Sequence, residues 1–378
     1  MQLIERALSL LALACVGSGV SLVYYGYGRL LARGGDRTRA LARLRLALKV
    51  GLPVTYVLAV ITMTATGWLE VVDAVVAWVP LGETIVGNVL ALVLLLGTPA
   101  LAVVVAYLGA LPVVVDLRNL TVSPTRVVLL LARSVAGLVA LFVVLLLALG
   151  AVVDPLLATL PAGVVVLVAS VGMVVSLLWA TPLVVRLLQP TRRPDDDERE
   201  RIAALLERTG LDGVGVRILR ASDANHAFAV LRGLPLPRRH LFVTDYLLEC
   251  ADDDRLRALL ALQAGRARTF HLESRLTITI GLVLGVVAPT LESLPGRSWL
   301  VSVAAGIVGL VALWQGRRLV YRGDAYAASR VGTDAVVDAL EWQCAINDRP
   351  LTWSRRQEIV RMEPSPARRI GRLRERSG

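Results

Sequence analysis

Histidine, lysine and cysteine are scarce in this 378-residue chain, and each shortage removes a class of chemistry. The three histidines, His226, His240 and His271, include no two at ligand spacing, so no pair of imidazoles converges on a metal from one helix. The single lysine, Lys49, lies in the second apolar run. A retinal protein needs a lysine in its last span for the Schiff base, so that class is excluded. The cysteines, Cys15, Cys250 and Cys344, are scattered without Cys-x-x-Cys spacing, which leaves neither a disulfide frame nor a thiolate metal site. Cys250 falls at an expected helix end and Cys344 has no histidine nearby in sequence, so no Cys-His pair or Ser-His-Asp triad stands out. Charge is thin as well. Only 19% of residues are charged, against 56% hydrophobic ones, and a mean hydropathy of +0.65 is too high for an ordinary soluble protein of this length.

What is abundant is apolar sequence. Runs long enough to cross a bilayer lie near 7–27, 47–67, 84–112, 127–150, 158–188, 276–294 and 299–316, which predicts a mainly α, polytopic membrane protein with about seven transmembrane helices. The first run continues through Gly17 to Tyr27 without a small-residue cleavage site and reads as an uncleaved anchor. Charges inside the runs are too few to form the ladder of an ion or proton pathway. Gly281, Gly285, Gly306 and Gly309 are expected at helix contacts. No internal repeat stands out.

The net charge of +11 is distributed by topology. Arg29, Arg33, Arg37, Arg39, Arg43 and Arg45 follow the first run, Arg186, Arg192 and Arg193 the fifth, and Arg317 and Arg318 the seventh. The intervening loops, with Glu70, Asp73, Glu83, Asp154 and Glu292, are neutral or acidic. The positive-inside rule then puts the N-terminus outside and the C-terminus in the cytoplasm of a multi-pass cell-membrane protein. The partner this basicity implies is an anionic lipid bilayer; no nucleic acid is called for.

Two polar regions remain, which divides the chain into a five-helix membrane region (1–189), a cytoplasmic domain (190–274), two further spans (275–316) and a cytoplasmic helical tail (317–378). In the first polar region an amphipathic helix carries Ile202, Leu205 and Leu206 on one face. VGVRILRA and NHAFAVLRG read as strands, and HLFVTDYLLE as a strand entering a helix capped by Thr244 or Asp245. A further helix starts at Asp252-Asp253-Asp254 and ends near Arg266 and Arg268, each charge matched to the helix dipole. Leu256, Leu259, Leu260 and Gln263 share one of its faces, so an amide stands in an apolar stripe. The tail is expected to hold a helix over 324–343 and another after Pro364.

Four segments in order carry a family resemblance: SDANHAFAV, LFVTDYLLECADDDRLRALLALQAGR, RGDAYAASRVGTDAVVDAL and MEPSPARRIGRL. Together they resemble the integral-membrane zinc metallopeptidases that include the HtpX-type and type I CaaX prenyl proteases. They correspond in turn to that family's Asn-Ala-Phe strand, its Thr-Asp helix start with acidic turn and catalytic helix, its third-ligand segment, and its His-Pro-Ser element with the Arg-Ile-x-x-Leu helix. The order of spans is similar to the CaaX-type branch. The resemblance implies a small α+β zincin-like domain inserted between helices 5 and 6, and a peptide-binding strand at Asn225, His226, Ala227 and Phe228.

The same register empties the catalytic positions. The family's His-Glu-x-x-His falls on Leu262, Gln263 and Arg266, its third-ligand glutamate on Arg322 and its supporting aspartate on Tyr326, while Glu363 stands for the histidine of the closing element. The resemblance therefore implies a degenerate zinc site with no cofactor, and a pseudoprotease with a binding or regulatory role whose partner is a peptide or a membrane protein. Arg266 and Arg322 are expected near one another or near a shared carboxylate such as Asp324. Two alternatives stand beside this. One is an active metalloendopeptidase with an atypical site, for which His271, Glu273 and Asp324 are the candidate groups. The other is an unrelated seven-helix transport or receptor protein.

Overall fold

A long apolar segment in a bilayer satisfies its backbone internally, and the apolar runs of this chain accordingly form helices. The computed structural model describes residues 2–79, 84–118, 124–160, 162–211, 213–221, 225–234, 239–287, 298–355, 358, 361 and 363–377. They divide into two compact units, Met1–Ala148 with Leu187–Gln189, and Leu149–Arg186 with Pro190–Gly378.

The first unit contains α1 (Gln2–Ala32), α2 (Arg37–Ala65), α3 (Trp68–Ala77), α4 (Ile85–Arg118) and most of α5 (Pro124–Leu157). The second helix begins at Arg37, ten residues before the apolar run that announces it, because Asp36 caps it by accepting from the Arg39 amide at 2.9 Å. Its polar first turns still bury Ala40, Leu41 and Leu44. Small residues of α4, Ala106 and Ala110, pack with Tyr24 of α1 and Leu44 of α2. Large apolar side chains such as Leu22, Val23 and Leu129 point outward, which is the surface a lipid phase covers. Together with α6 (Ala162–Leu188), this accounts for the five described helices that are long and apolar enough to cross a membrane. The sixth and seventh runs fall on α10 (His271–Val287) and α11 (Ser298–Val331), with residues 288–297 outside the described set. Gly309 is buried; the surroundings of Gly281, Gly285 and Gly306 also lie outside it.

The rest of the second unit is α+β. In chain order it runs β1 (Thr191–Arg192), α7 (Asp196–Thr209), β2 (Gly215–Leu219), β3 (Ala229–Arg232), β4 (His240–Thr244), α8 (Asp245–Cys250) and α9 (Asp253–Arg268). After α10 and α11 come α12 (Thr333–Ile346) and α13 (Pro366–Ser377). The sheet order is β1-β2-β4-β3, with β2 and β4 parallel and the other two pairings antiparallel. A capping box starts α7, Asp195 and Glu198 each accepting from the other's amide at 2.8 and 3.0 Å, and Arg192 clamps Glu198 with both guanidinium arms. Thr244, rather than Asp245, caps α8. Asp245 instead accepts from the Ala221 amide at 2.8 Å and ties the end of β2 to α8.

Two expectations about elements change. The strand expected over 225–233 forms only over Ala229–Arg232. The helix expected over 324–343 is two helices, because α11 continues unbroken from its apolar part to Val331 and Gly332, at φ 91°, ends it before α12. A left-handed glycine is a chain break that helical periodicity alone does not reveal.

Candidate functional site

The helix with the emptied catalytic register is α9. Asp252 caps it, accepting from the Arg255 amide at 2.8 Å, and Arg266 and Arg268 occupy its last turn, as the charge pattern predicts. Its apolar surface is wider than the single stripe expected: Leu256 and every residue from Ala258 to Gly265 are buried. Helices α7, α11 and α12 and strand β3 pack around it, and its exposed residues are the charged ones, Asp253, Asp254 and Arg268.

Gly265 and Gly323 set the closest approach. A Cβ on Gly265 would collide with the Gly323 carbonyl, and one on Gly323 would meet the Gly265 carbonyl carbon at 3.1 Å. Two glycines are what allow the α9 and α11 backbones to touch. This crossing lies within positions 262–266 of α9 and 322–326 of α11, the two segments that the sequence register pairs.

The five positions of that register divide. Leu262 is 3% exposed and belongs to the apolar core. Gln263 is 8% exposed, and Gln263 and Arg266 line a cavity of about 40 Å³ with Arg232, Arg239, His271 and Glu273. Arg322 is exposed and does not line that cavity. Tyr326 donates to the Thr209 carbonyl at 3.4 Å, between the guanidiniums of Arg268 and Arg330. The structure thus brings Gln263 and Arg266 together and leaves Leu262, Arg322 and Tyr326 outside.

Arg266 and Asp324, expected as partners, pair with other groups. Arg266 faces Glu363, at 4.0 Å, and His271 Nε2 lies 3.4 Å from the same carboxylate. Asp324, 2% exposed, is held by both arms of Arg369 at 2.6 and 2.8 Å. The Arg266 guanidinium first, then the His271 hydrogen bond and Arg369, hold the Glu363 carboxyl well below the usual carboxylate range against the opposing effect of burial. Burial lowers the affinity of Arg369 for its proton, but the Asp324 carboxylate outweighs it and the net shift is upward. Burial, reinforced by Arg275 and Arg266, pulls the Arg232 guanidinium down to about 10.

His271, Glu273 and Asp324, the candidates for an atypical centre, have separate partners: Glu363 for the first, Arg239 at 2.6 Å for the second and Arg369 for the third. Among the described residues no three His, Cys, Asp or Glu side chains form a metal-holding group. Within Asn225–Phe228 the backbones of Ala227 and Phe228 are already engaged. Asn347 bonds both the amide and the carbonyl of Ala227, Thr244 bonds both backbone groups of Phe228, and His226 Nδ1 lies 2.8 Å from Asn347 Oδ1. The edge strands of the sheet are β1 and β3.

Three functional neighbours escaped the sequence. Arg232 ends a strand with nothing to mark it, and Glu363 was visible only as the substituted histidine of the closing element. Arg369 is the arginine of the Arg-Ile-x-x-Leu segment, a signal that could have been followed to Asp324.

Fold and helices define a polytopic membrane protein with a helical membrane part and a small α+β part. A scan against protein-family models finds no match, and a search of curated proteins finds none. Among solved structures, the crystal structure of S. mikatae Ste24p is similar, with a TM-score of 0.62 over 98% of this chain and 99% of that one at 14% identity. The likeness extends through the membrane helices as well as the α+β part, and it is a likeness of fold.

Proposed function

We propose that the chain is a catalytically inactive relative of the membrane zinc metallopeptidases, kept as a binding or regulatory protein. The fold of Ste24p, itself a membrane zinc metallopeptidase of the CaaX prenyl protease family, supports the scaffold. The observation that carries the inactive reading is the side chains at the ligand positions. Leu262 offers no donor atom, and the Gln263 amide has no proton affinity to serve as a base. Arg266 and Arg322 bring positive charge where a dication would need lone pairs. This donor set does not fit zinc.

In this reading the chain has seven spans, its N-terminus is outside, and the parts at 190–274 and 317–378 are cytoplasmic. A peptide or a membrane protein is the partner, with the β3 edge as the backbone surface offered for strand addition. The test is cleavage of prenylated and unprenylated peptides by the full chain in proteoliposomes, with and without a chelator. No chelator-sensitive cleavage is expected; turnover abolished by chelation and restored by zinc would overturn the reading.

A further inference from the structure

The cavity beside Gln263 carries more cation than its carboxylates neutralise. Glu273 is taken by Arg239 at 2.6 Å, and Glu363 is shared between Arg266 and His271. Arg232 donates to the Leu231 carbonyl, at 3.2 Å, and among the described residues has no carboxylate at ion-pair distance. Its depressed proton affinity reports the same imbalance from the side of burial and like charge.

Polar groups at the cavity also lack partners. Gln263 and His271, 8% and 7% exposed, both line it. Gln263 makes no side-chain hydrogen bond among the described residues, and His271 Nδ1, Arg266 Nε and, opposite in sign, Glu273 Oε2, whose other oxygen is held by Arg239, are buried without one. Buried polar atoms of this kind are ordinarily satisfied, by protein, water or ligand. At about 40 Å³ the space is that of roughly three waters, which suits a phosphate or carboxylate group and excludes a nucleotide or a folded segment.

We propose that this cavity binds one small oxyanion, held by the Arg232 and Arg266 guanidiniums, the Gln263 amide and His271. The proposal rests on the inactive reading, because it assigns to an anion the place that the family's register assigns to a dication. Arginine forks match oxyanions in geometry, and a neutral amide adds a donor without adding charge. A glutamate at 263 would instead meet the ligand with like charge, so the substitution that empties the zinc site is the one that admits an anion. Inorganic phosphate and the terminal carboxylate of a peptide share this chemistry.

The purified full chain in detergent is titrated with inorganic phosphate, with a short peptide acid and with the same peptide as its amide, at constant ionic strength. Binding is followed by thermal shift and calorimetry. Saturable binding of phosphate identifies a free anion; binding of the peptide acid but not of the amide identifies a chain terminus. Arg232→Gln and Gln263→Glu each weaken the response at least about tenfold, whereas Arg322→Gln, outside the cavity, leaves it unchanged. Should Arg232→Gln fail to fold, Gln263→Glu carries the test, with its near-ultraviolet dichroism checked against wild type. Absence of saturable binding by both phosphate and the peptide acid, binding of the amide as tight as that of the acid, or binding that Gln263→Glu leaves intact, overturns the proposal. Zinc content and chelator-sensitive cleavage are read independently, so failure of the anion site and failure of the inactive reading are distinguishable.

Discussion

The two units of this chain satisfy their polar atoms in different ways. In the unit of residues 1–148, the buried hydroxyls bond to backbone carbonyls, Ser9 to Thr66 at 2.7 Å and Thr55 to Gly51 at 2.8 Å, and the one buried charge among the described residues is Arg118, the last residue of α4. In the other unit, charged side chains bond to each other across long stretches of chain. Arg369 holds Asp324, Arg201 reaches Asp253, Arg255 reaches Asp338 and Arg239 meets Glu273. In a hydrocarbon setting a lone charge is too costly to keep, and hydroxyl-to-carbonyl bonds suffice. Outside the apolar helices, arginine and carboxylate are tolerated so long as the buried ones are paired. The lesson is that the pairs in the second unit are where mutations act most strongly.

Four single substitutions and one double can break or sharpen that contrast. Asp324→Asn leaves the buried Arg369 charge uncompensated and is expected to cost about 3–5 kcal/mol in denaturant unfolding of the purified protein. The joint change Asp324→Leu with Arg369→Met restores most of it, since removing both charges leaves nothing unpaired. Gly265→Ala drives a methyl into the Gly323 carbonyl and is expected to cost roughly 1–3 kcal/mol, read from the same denaturant midpoint. A neutral result there would show that α9 and α11 can separate without penalty.

Glu363→Gln is expected to cost about 1 kcal/mol at neutral pH, a modest figure because the side chain is more than a third exposed. The sign with pH follows from the depressed carboxyl. Its stabilisation is fully present above about pH 4.3, the ordinary glutamate value, and fades as the pH falls below that toward the folded value. The gap between wild type and Glu363→Gln should therefore close in acid; a constant gap would mean that Glu363 acts by shape alone. Smallest of the four, Ser9→Ala removes one hydroxyl-to-carbonyl bond, and about 0.6 kcal/mol is expected from such a bond between membrane helices. A loss as large as that of Asp324→Asn would erase the difference between the units.

Much of this was legible from the residues alone, and the remainder has identifiable causes. The apolar runs gave the first five membrane helices because length and hydropathy are local properties, and the Thr244 and Asp252 caps followed from short-range chemistry. The order of landmarks led to the α9 and α11 segments, whose glycines do meet. What escaped was non-local. Nothing in periodicity says that Arg266 turns to Glu363, that Asp324 is claimed by Arg369, or that Asn347 occupies the backbone of Ala227. The break at Gly332 was missed for a different reason: a helical pattern persists on both sides of it.

The central claim is that the site on α9 holds no catalytic metal, and zinc content tests it most directly. Metal analysis by mass spectrometry of the full chain, purified without chelator and supplied with zinc before exhaustive dialysis, should return far less than one zinc per chain. One zinc per chain that survives dialysis and is stripped by a chelator would contradict the account.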